Sequence, residues 1–234
     1  MRNLINLILG ISISSLLLIS CQENKEETNN AAEETTAVNE EAVNTEETVE
    51  ETTELILNAN LATEEELKNN GVSEDLLAAI IANRPFISMN DLDALVAEGE
   101  DKEALYKKIF VPFNLNTTAE ADFKMIPGVG ERMAHEFEEY RPYTNIQQFR
   151  KEIGKYVDEA EVARYENYVF VPVELNTASE EDMKALPGVG DRMAHEFEEY
   201  RPYKNMEQFR KEISKYVDEK ELARLERLVY LQEK

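Results

Sequence analysis

The chain has 234 residues, of which 49 are acidic and 25 are basic, so its formal net charge is −24. A surface this acidic repels nucleic acid and anionic membranes at long range, and binding to either must therefore rest on a local feature. The single cysteine excludes an intrachain disulfide framework.

The first twenty residues have the pattern of a secretory signal. Arg2 supplies a positive start, and an apolar run over residues 4–19 follows it. The run is too short for a full membrane span, which indicates a cleaved signal peptide over residues 1–20. Residues 18–21, Leu-Ile-Ser-Cys, resemble the bacterial lipobox. This resemblance implies that Cys21 is acylated and becomes the first residue of the mature protein.

Residues 21–54 form the next segment, and after Cys21 they hold 12 Glu against one Lys, with no aromatic residue. Such a segment cannot bury enough apolar surface to offset its chain entropy, so we expect a disordered acidic tether. The acidic run directly after the cysteine resembles the export signals of surface lipoproteins. We therefore expect a lipid-anchored protein of the cell envelope, outside the cytoplasm. The outer membrane is favoured, and its periplasmic and surface faces both remain open.

Internal repetition organises the rest of the chain. Residues 111–170 align with residues 171–230 without a gap, and 41 of the 60 positions are identical. A third, diverged copy lies upstream and opens with Leu57-Asn58. The sequence therefore predicts three units, namely copy one over residues 55–110, copy two over residues 111–170 and copy three over residues 171–234.

Each copy has the pattern of a series of helices. In copy three, Thr177 stands three residues before Glu180, which is the spacing of a capping box at a helix start. The segment 187–190, Pro-Gly-Val-Gly, then requires a tight reversal, because glycine adopts positive φ and lets two backbones approach closely. No strand pattern of useful length occurs, so we predict an all-α fold class. Apolar residues at helical spacing support it, namely Met193, Phe197 and Tyr200, then Met206, Phe209 and Ile213, and then Leu222, Leu225 and Leu228.

Leu-Asn-Thr, an acidic helix start, Pro-Gly-Val-Gly and a helix ending in Tyr-Arg together resemble the helix-hairpin-helix family. The similarity is greatest to the ComEA-type competence DNA receptors. In those proteins a membrane anchor, a flexible linker and a C-terminal helix-hairpin-helix module take up extracellular duplex DNA. The resemblance covers copies two and three well and copy one loosely. It implies tandem helix-hairpin-helix-like repeats behind the signal peptide and the disordered acidic tether.

In that family the amides of the hairpin and of the next helix N-terminus bind DNA phosphates without reading bases. Unpaired N–H groups and the positive end of a helix both attract phosphate oxygens. Copy one has Ser73 in place of the second glycine and Asp75 in place of the family's basic residue, so no DNA contact is carried over to it. The resemblance implies DNA-backbone binding by Gly128, Val129, Gly130 and Arg132 in copy two and by Gly188, Val189, Gly190 and Arg192 in copy three.

Acidic neighbours oppose this function. Glu131 and Asp191 lie in the first turn after each hairpin, where a carboxylate can satisfy the free amides itself. Glu136 and Glu196 lie four residues after the arginines, at the spacing of an ion pair along a helix. The family's second glycine hairpin is also missing, since Lys-Tyr-Val-Asp occupies its place at residues 155–158 and again in copy three. If the hairpin amides are bonded within the protein itself, the repeats would serve only to contact other proteins.

Other residues carry no recognisable chemistry. His135 and His195 lie off the apolar face of their helices, and no cysteine or second nearby histidine completes a metal site. We interpret them as surface residues, and the tyrosines of the two hairpin helices as packing residues. The sequence has no phosphate loop, no nucleophile elbow and no Ser-His-Asp set. It therefore predicts no enzymatic activity, no cofactor, no metal and no small-molecule substrate.

Two functions remain. In the first, the protein is held at a membrane by its lipid anchor and binds the backbone of double-stranded DNA weakly and without sequence preference. In the second, the same repeats dock another protein of the cell envelope, and DNA plays no part. We favour the first, because local amides and an arginine decide short-range contact, whereas net charge acts through a screened field.

Overall fold

A computed structural model of the protein describes residues 56–232. Within that range, 12 helices and six two-residue strands follow one another in the same order three times, and the predicted all-α class is confirmed. None of the helices in these residues combines the length and the apolar character needed to cross a membrane. The predicted signal peptide, the lipidated Cys21 and the acidic tether lie outside the described residues.

Each copy consists of one strand, four helices and a second strand. Copy one comprises β1 (Leu57–Asn58), α1 (Glu64–Asn69), α2 (Glu74–Asn83), α3 (Met89–Asp93), α4 (Lys102–Tyr106) and β2 (Ile109–Phe110). Copy two comprises β3 (Phe113–Asn114), α5 (Glu120–Phe123), α6 (Glu131–Glu139), α7 (Ile146–Ile153), α8 (Glu159–Glu166) and β4 (Val169–Phe170). Copy three comprises β5 (Val173–Glu174), α9 (Glu180–Lys184), α10 (Asp191–Glu199), α11 (Met206–Ile213), α12 (Glu219–Glu226) and β6 (Val229–Tyr230).

The two strands of each copy pair in parallel, so the beginning of the copy is joined to its end. Two residues are too few for the alternation of apolar and polar side chains that identifies a strand in a sequence, and the sequence does not predict these pairs. The residues that lie opposite each other are Leu57 and Ile109 in copy one, Phe113 and Val169 in copy two, and Val173 and Val229 in copy three.

The first helix of copy three begins two residues later than its predicted cap. Ser179 is the capping residue, and its hydroxyl accepts a hydrogen bond from the Asp182 N–H at 3.1 Å. Thr177 lies upstream of the helix, where its hydroxyl donates to the Glu174 carboxylate at 2.7 Å. The predicted capping box from Thr177 to Glu180 is therefore wrong. Serine satisfies the Asp182 amide in the first turn, whereas the threonine was expected to satisfy that of Glu180.

An arginine that precedes a cis proline ties the second helix of each copy to its opening loop. In copy three, Arg201 donates from Nε to the Leu175 carbonyl at 2.5 Å and from Nη2 to the Ala178 carbonyl at 2.6 Å. Between those carbonyls, the Asn176 side chain donates to the Tyr203 carbonyl at 3.0 Å and accepts from the Tyr203 N–H at 2.7 Å. The corresponding residues are Arg141 and Asn116 in copy two and Arg84 and Asn60 in copy one.

Copy one follows this plan, although its opening residues differ in sequence. Asn60 bonds both backbone groups of Phe86, as Asn116 bonds those of Tyr143. Asn58 instead accepts from the Asn60 N–H at 2.9 Å and lies in β1. The counterpart of the asparagine in Leu-Asn-Thr is therefore Asn60, two residues after the Leu57-Asn58 pair that opens the copy in the sequence.

Copies one and two share one hydrophobic core, and copy three has a core of its own. Phe110, at the end of copy one, is fully buried. Its ring packs edge-on against Tyr106 of the same copy and against Phe113 and Tyr168 of copy two, with ring centroids 6.0, 5.2 and 4.8 Å apart. The short junction at Val111, which is also buried, therefore lies inside a continuous core.

Candidate functional site

The hairpin between the first two helices has the same backbone in copies two and three. Gly128 and Gly188 adopt positive φ values of 80° and 70°, a conformation that glycine adopts without steric cost. Gly130 and Gly190 begin α6 and α10 as capping residues, and a glycine has no side chain that could accept from the first-turn amides. Each hairpin therefore presents a helix N-terminus whose amides can meet an external acceptor.

Some of the hairpin amides are already used inside the protein. The Val129 N–H donates to the Ile126 carbonyl at 3.0 Å, and the Val189 N–H donates to the Leu186 carbonyl at 3.1 Å. Both valine side chains are buried, so the valines hold the turn together. Of the residues that the sequence assigns to DNA contact, the accessible ones are Gly128, Gly130 and Arg132 in copy two and Gly188, Gly190 and Arg192 in copy three.

Most other helix starts in residues 56–232 satisfy their own amides, although α5 begins after Ala119 without a side-chain cap. In copy one, Ser73 occupies the place of the second glycine, and its hydroxyl accepts from the Leu76 N–H at 3.4 Å. The segment that replaces the family's second hairpin leads into α8, where Asp158 accepts from the Glu161 N–H at 2.9 Å. Asp218 does the same at the start of α12. These helix starts therefore have fewer free amides for an anion than the glycine-capped starts of α6 and α10.

The acidic residues beside the hairpins pair with lysines and not with the amides. The Asp191 carboxylate lies 2.8 Å from Lys184 Nζ, and this hydrogen bond lowers the pKa of Asp191. Glu131 lies 3.9 Å from Lys124 Nζ. Within residues 56–232, no side chain accepts a hydrogen bond from the first turn of α6 or α10. The expected capping of these amides by Glu131 and Asp191 is therefore wrong.

The two hairpin arginines are exposed. In the part of the chain that the structure describes, no carboxylate lies within 4.0 Å of Arg132 or Arg192, so the expected pairs with Glu136 and Glu196 are not formed. Arg132 instead places its guanidinium over the ring of Tyr156, 5.8 Å from the centroid. Both guanidinium groups are therefore available to an external anion.

A second arginine donates a hydrogen bond to a carbonyl group of the hairpin in copy three. Arg224, on α12, is 2 % exposed and donates from Nη1 to the Pro187 carbonyl at 2.5 Å. The Glu221 carboxylate accepts from Arg224 at 2.8 and 2.7 Å, as Glu161 accepts from Arg164 at 2.7 Å in copy two. Sequence reasoning overlooked this pair, although Glu-x-x-Arg recurs in both copies.

The histidines are surface residues, as the sequence predicts. His135 and His195 are exposed, and a hydrogen bond to Glu120 at 3.3 Å raises the pKa of His135. Tyr143 and Tyr203 are buried, which agrees with their interpretation as packing residues. No group of three His, Cys, Asp or Glu side chains among residues 56–232 could hold a metal ion.

Comparison with known proteins bears on one of the three copies. No curated protein and no solved structure matches the chain. The third copy does match a family, and the matched span includes its hairpin, its capping glycine and Arg192. Residues 169–229 correspond to a family described as the helix-hairpin-helix motif.

Proposed function

We propose that this protein is a non-catalytic, membrane-anchored helix-hairpin-helix protein that binds the backbone of duplex DNA outside the cytoplasm, as a competence receptor does. The observation that carries the proposal is the pair of glycine-capped helix starts at Gly130 and Gly190, each with an exposed arginine two residues further on. Unsatisfied amides, the positive end of a helix and a guanidinium together favour a phosphate oxygen.

The acidic surface is compatible with this proposal when binding is weak. Charges separated by more than about 8–10 Å are largely screened at physiological ionic strength. The nearest acidic residues, Glu131 and Asp191, each have a lysine beside them, which reduces their repulsion of a phosphate. Contacts to phosphates fix the position of a protein on DNA and carry no sequence information, so we expect no sequence preference.

We expect duplex DNA to bind at low salt and to dissociate as salt is added. If each hairpin neutralises about two phosphates, the slope of log K against log salt is about −1.8 for one hairpin and about −3.6 for two. Between 50 and 200 mM salt the affinity would then fall roughly 10-fold or roughly 150-fold. The measurement is fluorescence anisotropy of a labelled duplex with residues 21–234 carrying Cys21→Ser, which removes the lipid.

The control is the double variant Arg132→Glu with Arg192→Glu. Both side chains are exposed and lie outside the two cores, so the helical content measured by circular dichroism should not change. The variant should lose DNA binding at 50 mM salt. Equal binding by the variant, or none by the unsubstituted chain, would exclude the DNA function.

A second function is favoured by one contact in the structure. The hairpin of copy three already touches protein, because Leu61 of copy one lies against Gly188. The same kind of hairpin could receive a side chain from another protein of the cell envelope. If DNA does not bind, cross-linking in envelope extracts, with the double variant as control, tests this alternative.

The lipid anchor is a separate part of the proposal and has its own test. We expect Cys21 to carry the acyl chains, because it is the only cysteine and follows the apolar run directly. Cells supplied with a palmitate analogue should label the protein, and Cys21→Ser should abolish the label. Labelling that survives this substitution, or a mature N-terminus at another residue, would contradict the anchor.

A further inference from the structure

Copies two and three share 41 of 60 aligned residues but have different neighbours. Leu61, in the loop between β1 and α1 of copy one, reaches the hairpin of copy three. A Cβ added to Gly188 would lie 2.7 Å from Leu61 Cδ1 and 2.8 Å from Cδ2. At the equivalent Gly128 the nearest atom would be Nη2 of Arg164, at 3.4 Å, which is ordinary van der Waals contact. The tip of the copy-three hairpin therefore touches an apolar side chain of copy one, while Gly188 stays exposed and Leu61 is 40 % exposed.

A second contact joins the same two copies. Arg227, directly after α12, donates from Nη1 to the Phe86 carbonyl of copy one at 3.1 Å. Its guanidinium also lies over the ring of Phe170, 5.8 Å from the centroid. The residue at this place in copy two is Asn167, whose amide returns to the Ala163 carbonyl of its own helix at 3.1 Å. One of the differences between the copies thus coincides with the contact that only copy three makes among the described residues.

The hairpin of copy two has a different setting. It lines a groove of about 480 Å³ that also includes Lys102 of copy one and Lys124 of copy two. A second groove, of about 400 Å³, runs along Gly128 and includes Lys107 and Arg164. Glu103 lines both grooves and pairs with Lys107 at 3.2 Å, so copy one turns a helix end of mixed charge toward this hairpin and leaves space beside it.

We propose that the two hairpins have different functions. The hairpin of copy three is the docking site for the Leu61 loop of copy one, and the hairpin of copy two is the site that receives a DNA phosphate. The docking follows from the contacts of Leu61 and Arg227, whereas the assignment of the ligand to copy two rests on the proposed DNA function. In this assignment copy one, which caps its own hairpin with Ser73, packs against copy three and does not bind DNA.

Matched single variants test which hairpin meets the ligand. Arg132→Glu and Arg192→Glu make the same change at equivalent, exposed positions of the two copies. In the anisotropy assay at 50 mM salt, Arg132→Glu should weaken binding at least tenfold, and Arg192→Glu should weaken it by a clearly smaller factor, because a charge far from the bound phosphate acts through a screened field. The salt slope of the unsubstituted chain should be close to −1.8, the value for about two phosphates. Equal losses in the two variants, or a slope near −3.6, would overturn the assignment.

Thermal unfolding tests the docking without any ligand. Gly188→Ala and Gly128→Ala both place a side chain at positive φ, but only Gly188→Ala also meets Leu61, and its Cβ lies 3.0 Å from Arg224 Nη2 against 3.4 Å from Arg164 Nη2 at Gly128. Gly188→Ala should therefore lower Tm by about 2–4 °C more than Gly128→Ala does, which corresponds to about 1 kcal/mol in a protein of this size. In a Leu61→Ala background this excess should fall by at least half, and the remainder is due to Arg224. Equal shifts for the two glycines, or an excess that is unchanged without Leu61, would refute the docking. If the unsubstituted chain does not bind DNA at all, the DNA function fails while this measurement still decides the docking.

Discussion

Phe110→Ala should lower the free energy of unfolding by about 3–5 kcal/mol, the range measured for removal of a buried aromatic ring. Phe110 is fully buried, and its ring contacts one aromatic ring of copy one and two of copy two. Phe110 contacts all three of those rings, so its loss leaves a cavity at the junction. Urea unfolding followed by circular dichroism measures the change.

Tyr230→Ala is the matched control for this substitution. Tyr230 occupies the same place in β6 that Phe110 occupies in β2. Tyr230 is 38 % exposed, and the loss of free energy of unfolding should be below about 1 kcal/mol, as for other surface positions. Similar losses for Phe110→Ala and Tyr230→Ala would mean that the junction between copies does not contribute to stability.

Arg201→Ala should lower the free energy of unfolding by about 3 kcal/mol. The guanidinium donates to the carbonyls of Leu175 and Ala178, and hydrogen bonds from a charged group contribute about 1.5–3 kcal/mol each. Removal of the side chain leaves both carbonyls without this donor, although water can reach part of the site because the Arg201 side chain is 18 % exposed. We therefore expect a loss of stability at the lower end of the range obtained by adding two such hydrogen bonds.

Arg201→Lys separates the geometry from the charge. Lysine keeps the positive charge but lacks the planar fork that reaches two carbonyls at once. It should restore less than half of the lost stability. Arg192→Ala, nine residues upstream on the exposed face, should be nearly neutral in the same urea experiment. Full rescue by lysine would show that charge alone stabilises this loop.

The parts of the fold that depend on local residue identity could be predicted. Glycine at 128 and 188 indicates a reversal because it alone adopts positive φ at little cost, and both residues do so. Phe197 and Phe209, chosen by their helical spacing, are fully buried. These features involve residues within a few positions of each other, so the sequence alone carries the information.

Features set by one or two residues were harder to predict from the sequence. The capping residue of α9 is Ser179 and not the predicted Thr177, because either side chain can satisfy the same kind of amide. Glu131 and Asp191 were expected at the amides but pair with lysines of the preceding helix. A carboxylate beside a helix start has several partners within reach, and only the three-dimensional positions of the lysines decide among them.

By itself the sequence determined the number of copies, their helical class and the two glycine hairpins, since each of these follows from residues close together in the chain. Only the tertiary structure decided how the copies differ. Leu61 lies against Gly188, and Arg227 bonds Phe86 across 141 positions of the chain. Contacts over such separations depend on how the helices of copies one and three pack, and two hairpins of almost the same sequence therefore have different surroundings.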